Sequence, residues 1–209
     1  LDSVLDFSLL IINIRSLIDH EPTRLELVLY GKLPALTTLY ASGGSHRDHI
    51  LNLLSALVTA KWKEEEAPSI LSHLKPDFSK ILTSSIAADL ENPFDSDQLK
   101  VSLYKFIGAV MGSKHKGLSM LFIEGSRVLS TSRQRKSEAS PTSKNQTVLR
   151  ILKRNVKDMK YYPDYVSIHL VDAISIALNA WIIESDYREE DSRFVAILLE
   201  RFRAPYNVQ

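Results

Sequence analysis

Apolar residues return along this chain of 209 residues at intervals of three to five positions, while the alternation expected of a half-buried strand is nearly absent. That pattern restricts the fold to helices that each bury a stripe. Val4, Leu5, Leu9, Ile12 and Leu17 mark a first helix that closes near Asp19 to Pro22. Thr23 is placed to cap a second through Leu25, Val28 and Leu29, with Gly31 as its stop and Pro34 opening a third through Leu36 and Tyr40. Ser42-Gly43-Gly44-Ser45 breaks the chain. From His46 the residues Ile50, Leu53, Leu54, Leu57, Val58 and Trp62 form a strong helical stripe, closed by the charged run Lys61 to Glu66.

Pro68 restarts the pattern. Ile70, Leu71 and Leu74 predict a brief helix up to Pro76. Phe78, Ile81, Leu82, Ile86 and Leu90 predict a longer one ending before Asn92-Pro93. Asp95 or Ser96 can cap the next helix, which holds Leu99, Leu103, Phe106, Ile107 and Val110. A Gly112-to-Gly117 break separates it from the compact apolar segment Leu118 to Ile123. Beyond the loop that follows, Val148, Ile151, Leu152, Val156 and Met159 spell a basic amphipathic helix. Pro163 sits at the first turn of a long helix from Tyr165 to Ile183, and Phe194 to Phe202 give the last.

The expected fold is therefore all-α, with about ten helices of unequal length. Two-helix units roughly 40 to 47 residues apart suit an irregular HEAT- or armadillo-like α-solenoid segment. A compact helical bundle is the competing architecture. The organisation read from the chain is helical repeats over 1–125, a flexible basic Ser-rich loop over 126–144, and continuing helical repeats over 145–209. Because the chain opens inside an apolar-periodic segment, it reads as a piece of something longer. Its unbroken apolar runs are far too short to cross a bilayer, so a soluble protein is expected.

Charge refines this picture. The chain holds 26 basic and 25 acidic residues, a net charge of +1 that does not favour nucleic acid as a partner of the whole surface. Between Arg127 and Lys160, however, ten basic residues stand against Glu138 and Asp158, a local +8, and the remaining 16 basic against 23 acidic residues leave −7. Arg150, Lys153, Arg154, Lys157 and Lys160 are the candidate basic interaction patch, with Tyr161 and Tyr162 next to it. Nucleic acid, an anionic membrane or an acidic peptide would each suit it, as would plain exposure to water on the polar face of a helix. In the loop, Ser137 and Ser140 lie in sequences that resemble kinase sites, and phosphorylation there would cancel part of the charge.

Chemistry is sparse by comparison. With no cysteine, the chain cannot build disulfides, thiolate zinc sites or a cysteine nucleophile. His46 and His49 are three apart and share a helix face beside Asp48, but no third metal ligand is evident. Ser42-Gly43-Gly44-Ser45-His46 resembles an oxyanion turn without a nucleophile elbow, so a turn between helices is the better reading. The acidic runs Glu64 to Glu66 and Glu189 to Asp191 read as solvated, the second lying just before a helix whose dipole favours it. Asn145-Gln146-Thr147 matches a glycosylation sequon without a secretion signal. No enzyme activity, cofactor or metal is expected.

Two stretches together resemble a known family. Lys105-Phe106-Ile107-Gly108-Ala109-Val110, then Lys116-Gly117-Leu118-Ser119-Met120-Leu121-Phe122-Ile123, is similar to a passage in the large α-helical scaffold nucleoporins of the nucleoporin-188 family. The later helix with Val171, Ala173, Ile174, Ala177, Leu178, Ala180 and Trp181, approached through Tyr162-Pro163, resembles the next helix of that passage. Leu71-Ser72-His73-Leu74-Lys75-Pro76-Asp77-Phe78 looks like a fungal form. The resemblance implies a piece of the solenoid middle of a much larger protein in the inner ring of the nuclear pore complex, at the nuclear envelope. It implies a structural role in pore architecture and in protein and mRNA transport. The implied partners are other nucleoporins, including the short helices of linker nucleoporins, and the flanking solenoid repeats of the same chain. No Phe-Gly dipeptide of the transport barrier occurs.

Overall fold

A computed structural model of the chain describes residues 1–62, 69–92, 96–113, 116–125, 147–180 and 188–203. Among them are ten α-helices and no strand: α1 (Asp2–Leu17), α2 (Arg24–Gly31), α3 (Leu33–Ala41), α4 (Arg47–Val58), α5 (Ile70–Glu91), α6 (Asp97–Gly112), α7 (Lys116–Glu124), α8 (Val148–Asn155), α9 (Asp164–Ala180) and α10 (Arg188–Arg203). A 3-10 segment, Val156–Tyr161, joins α8 to α9.

The helices start where local hydrogen bonding dictates. Thr23 opens α2 with a full capping box, its hydroxyl accepting from the Leu25 N–H while its own N–H donates to Glu26 Oε2 at 2.7 Å. Ser96 caps α6 by accepting from the Leu99 N–H at 3.2 Å; Asp95, the other candidate, lies outside the described residues. Thr147, the last residue of the sequon, caps α8 by accepting from the Arg150 N–H at 3.3 Å. At Lys75 (φ 59°, ψ 162°) the backbone leaves the helix, and Pro76 restarts it, so the two helices expected on either side of Pro76 run on as one kinked element.

Apart from the short α2 and α7, the helices from α1 to α9 alternate between two layers. In one layer α1 packs on α4, α4 on α6 and α6 on α9; in the other α3 packs on α5 and α5 on α8. This back-and-forth course, each helix lying beside its predecessor in the same layer, is that of an α-solenoid. Asp2, Arg47, Asp97 and Asp164 open the four helices of the first layer. The last interval, which contains the 126–144 stretch, is the longest, so the unit is irregular.

The core runs unbroken along the seam. Leu53, Leu57, Leu103, Ile107, Leu121, Leu152 and Leu170 are all out of solvent, and each such side chain contributes about 1.5–3 kcal/mol of burial. Polar ties join helices within and across the layers: Asp89 of α5 accepts from the Arg47 guanidinium of α4, across the layers, at 2.6 Å and from the Tyr40 hydroxyl of α3, within its own layer, at 2.5 Å. The basic segment differs from expectation in one respect. The α-helix ends at Asn155 and tightens to a 3-10 turn, which still buries Val156 and Met159.

Candidate functional site

α1 is apolar on two sides. Leu5 and Ile12 point to α4 and are buried, with Ser8 between them and Arg15 one turn further on. On the other side Val4, Phe7, Ile11, Ile14 and Ile18 follow at three or four residues and form a second stripe, widened by Leu10 and Leu17. Phe7 is 63% and Leu17 86% exposed, against 1% for Ile12. Leu27 and Val28 of α2 are exposed as well.

Spacing alone puts Val4 and Leu17 in the same stripe as Leu5 and Ile12; the structure separates them. The signal was present, because a helix apolar around most of its circumference has more than one side to cover. A continuous apolar stripe facing water marks a surface that another element covers.

At the opposite end, α9 exposes Tyr165, Ile168 and Leu178, and α10 exposes Val195 and Leu199, one turn apart, fewer large apolar side chains than α1 exposes. The apolar character is concentrated on α1.

The basic patch is partly engaged. Val148, Ile151, Leu152, Val156 and Met159 are buried, as their spacing predicted. Arg154 is ion-paired with Glu91 of α5, Lys160 lies over the Tyr161 ring at 4.7 Å, and Lys157 is exposed. Arg150 and Lys153 are half-buried and have interactions of their own. Ser137, Ser140 and the rest of the 126–144 loop lie outside the described residues, as does the run Glu64 to Glu66.

The two imidazoles that spacing put on one face of α4 are each taken by a carboxylate of α1: His46 by Asp2, and His49 by Asp6 at 2.6 Å. Among the described residues no group of three or more His, Asp or Glu is arranged to hold a metal ion. Gly43 and Gly44, at φ 81° and 93°, form an open turn between α3 and α4.

A groove of about 900 Å³ lies where α4 ends and α7 begins, lined by Trp62, Ile70, Gly108, Gly112, Lys116 and Ile176 among others. Its described lining holds no carboxylate and no imidazole. No described helix is long and apolar enough to cross a membrane.

Sequence comparison matches residues 1–126 to the family described as Nucleoporin Nup188, N-terminal subdomain III. The chain belongs to the Nup188 family. It is 32% identical over 187 residues to Nucleoporin NUP188 of Saccharomyces cerevisiae, covering 88% of this chain and 11% of that protein. It is 20% identical over 200 residues to Nucleoporin nup184 of Schizosaccharomyces pombe, covering 95% of this chain and 13% of the relative. The chain thus spans about a tenth of the length of the curated relatives it matches.

The resemblance had implied a piece from the solenoid middle; the matching Nup188 description is of a third N-terminal subdomain. That match stops just after α7, whereas the two pairwise matches cover enough of the chain to take in helices beyond it.

Proposed function

We propose that this chain is a structural scaffold segment of a nuclear pore nucleoporin. In this reading it sits in the inner ring at the nuclear envelope and supports pore architecture and nucleocytoplasmic transport by docking to its neighbours. The observation that carries it is the uncovered stripe of α1. Within the first layer α4 lies between α1 and α6, and α6 between α4 and α9, whereas the Val4-to-Ile18 stripe of α1 faces water. A helical repeat of the parent protein covering that stripe extends the stack by the same packing that builds its interior. Membership of the Nup188 family, and the small share of its relatives that the chain spans, support this reading.

Residues 145–209 continue the stack of residues 1–125, a division supported by α8 packing on α5; the 126–144 stretch is then an insertion that leaves the layers intact. Other nucleoporins, among them the helices of linker nucleoporins, are the external partners in this reading. The polar face of α8 then serves solubility.

The test replaces Phe7 and Ile14 by Glu in the parent protein. Loss of assembly into the pore, with the helical content of this chain unchanged, is the expected result. Normal assembly with both charges in place contradicts the proposal.

A further inference from the structure

Asp2 and Asp6 stand one turn apart on α1, and His46 and His49 one turn apart at the start of α4. The register of the two helices brings each carboxylate to one imidazole, Asp2 to His46 Nδ1 and Asp6 to His49 Nδ1. We propose that these two contacts latch the first half of α1, and with it the outer apolar stripe, against α4, and that the Asp6–His49 contact makes the latch pH-dependent.

The surroundings leave the latch a matter of these groups. Besides Asp2 and Asp6 from α1, the charge facing His49 is Asp48 of its own helix, 3.8 Å from Nε2. Arg47, between the histidines, is committed to Asp89 of α5. α3 has no charged side chain. On α6, Lys100 lies over the Tyr162 ring and Lys105 acts on His169 of α9. All three acidic groups near His49 therefore favour the imidazolium, and no cation among these groups opposes it.

An imidazolium donating to a carboxylate makes a charge-assisted bond, and the neutral ring makes a weaker one. The Asp6 hydrogen bond raises the His49 pKa above its ordinary 6.5, against a smaller downward push from burial. A raised value in the folded state means the contribution is complete below about pH 6.5 and is lost as pH rises through the folded value. The latch is closed in mild acid and loosens toward alkaline pH. Few apolar anchors replace it at this end: Leu5 is the one fully buried large side chain in the first two turns of α1.

Hydrogen exchange on the full chain between pH 6 and 8.5, corrected for intrinsic rates, tests this. Protection of the first two turns of α1 is expected to fall by up to about fivefold relative to that of α6, the size that one partly exposed ion pair allows. An Asp2→Asn, Asp6→Asn double variant should show a flat ratio. Should that variant fail to fold its first helix, the NMR titration of His49 decides instead, since Asp6→Asn alone must lower its midpoint. A flat ratio in the unmodified chain, the same fall in the double variant, or an unmoved His49 midpoint overturns the latch.

Discussion

Arg15 and Glu26 meet out of solvent, Nε to Oε1 at 2.5 Å, and join α1 to α2. Glu26 serves two elements at once. Its other carboxylate oxygen accepts from the Thr23 N–H and from the Thr23 hydroxyl at 2.6 Å, closing the capping box of α2. Arg15 in turn donates to the His20 carbonyl at 2.6 Å, fixing the corner between the helices. The pair therefore sets the angle at which α1 lies against the stack.

Removing one member leaves the other charge buried without its counter-charge. Arg15→Met is expected to cost about 3–5 kcal/mol in urea unfolding. Arg15→Met combined with Glu26→Gln should cost less than Arg15→Met alone, because glutamine still closes a capping box and no lone charge remains. A double variant as unstable as the sum of the two singles would show that the pair is not coupled.

Acid should weaken the same corner. Burial pushes the Glu26 pKa up, but the Thr23 hydroxyl, backbone N–H groups and Arg15 together outweigh it and hold the carboxyl below its ordinary 4.5. A lowered folded value gives a contribution present above pH 4.5 and lost as pH falls through the folded value. Glu26→Gln should flatten stability against pH in that acid range, as followed by circular dichroism.

Asn155 at the end of α8 donates from Nδ2 to the Leu90 carbonyl of α5 at 2.9 Å, and the contact is buried. Asn155→Ala leaves a carbonyl at the end of α5 without this donor, and a loss of about 1–3 kcal/mol is expected in thermal or urea melts. Arg154→Ala, one residue earlier but exposed and paired with Glu91 at the surface, should cost under about 1 kcal/mol.

Gly108 marks where α6 and α9 come together. A Cβ there would meet Ile176 Cδ1 at 3.4 Å and the Ala173 Cα at 3.5 Å, ordinary contact distances. Gly108→Ala should therefore fold normally, with the gain in helix propensity offsetting the tighter fit. Gly108→Leu has to push α9 aside and should lose about 1–3 kcal/mol. Differential scanning calorimetry on the two variants separates these outcomes.

The elements were legible because their signals are local. The Thr23 cap, the Gly31 stop, the break at Pro76 and the Ser96 cap each follow from a few neighbouring residues, and the structure has them where spacing placed them. The buried stripe of α8 was legible for the same reason. What could not be read was which apolar residues face the stack. On α1, Leu5 and Val4 are equally apolar and adjacent, and only the position of α4 decides that one is buried and the other exposed. The pairings of His46 with Asp2, Glu26 with Arg15 and Asn155 with Leu90 were equally invisible, since each partner lies on another helix and no local rule selects it.

If the outer stripe of α1 is an interface within a longer stack, residue-resolved carbene footprinting detects its coverage. The isolated chain and the full-length parent protein are labelled side by side and read by mass spectrometry. Phe7, Ile14 and Leu17 should label strongly in the isolated chain and become protected in the parent, while Ile12, already buried, stays unlabelled in both. Equal labelling of Phe7, Ile14 and Leu17 in the two samples would show that nothing in the parent covers the stripe.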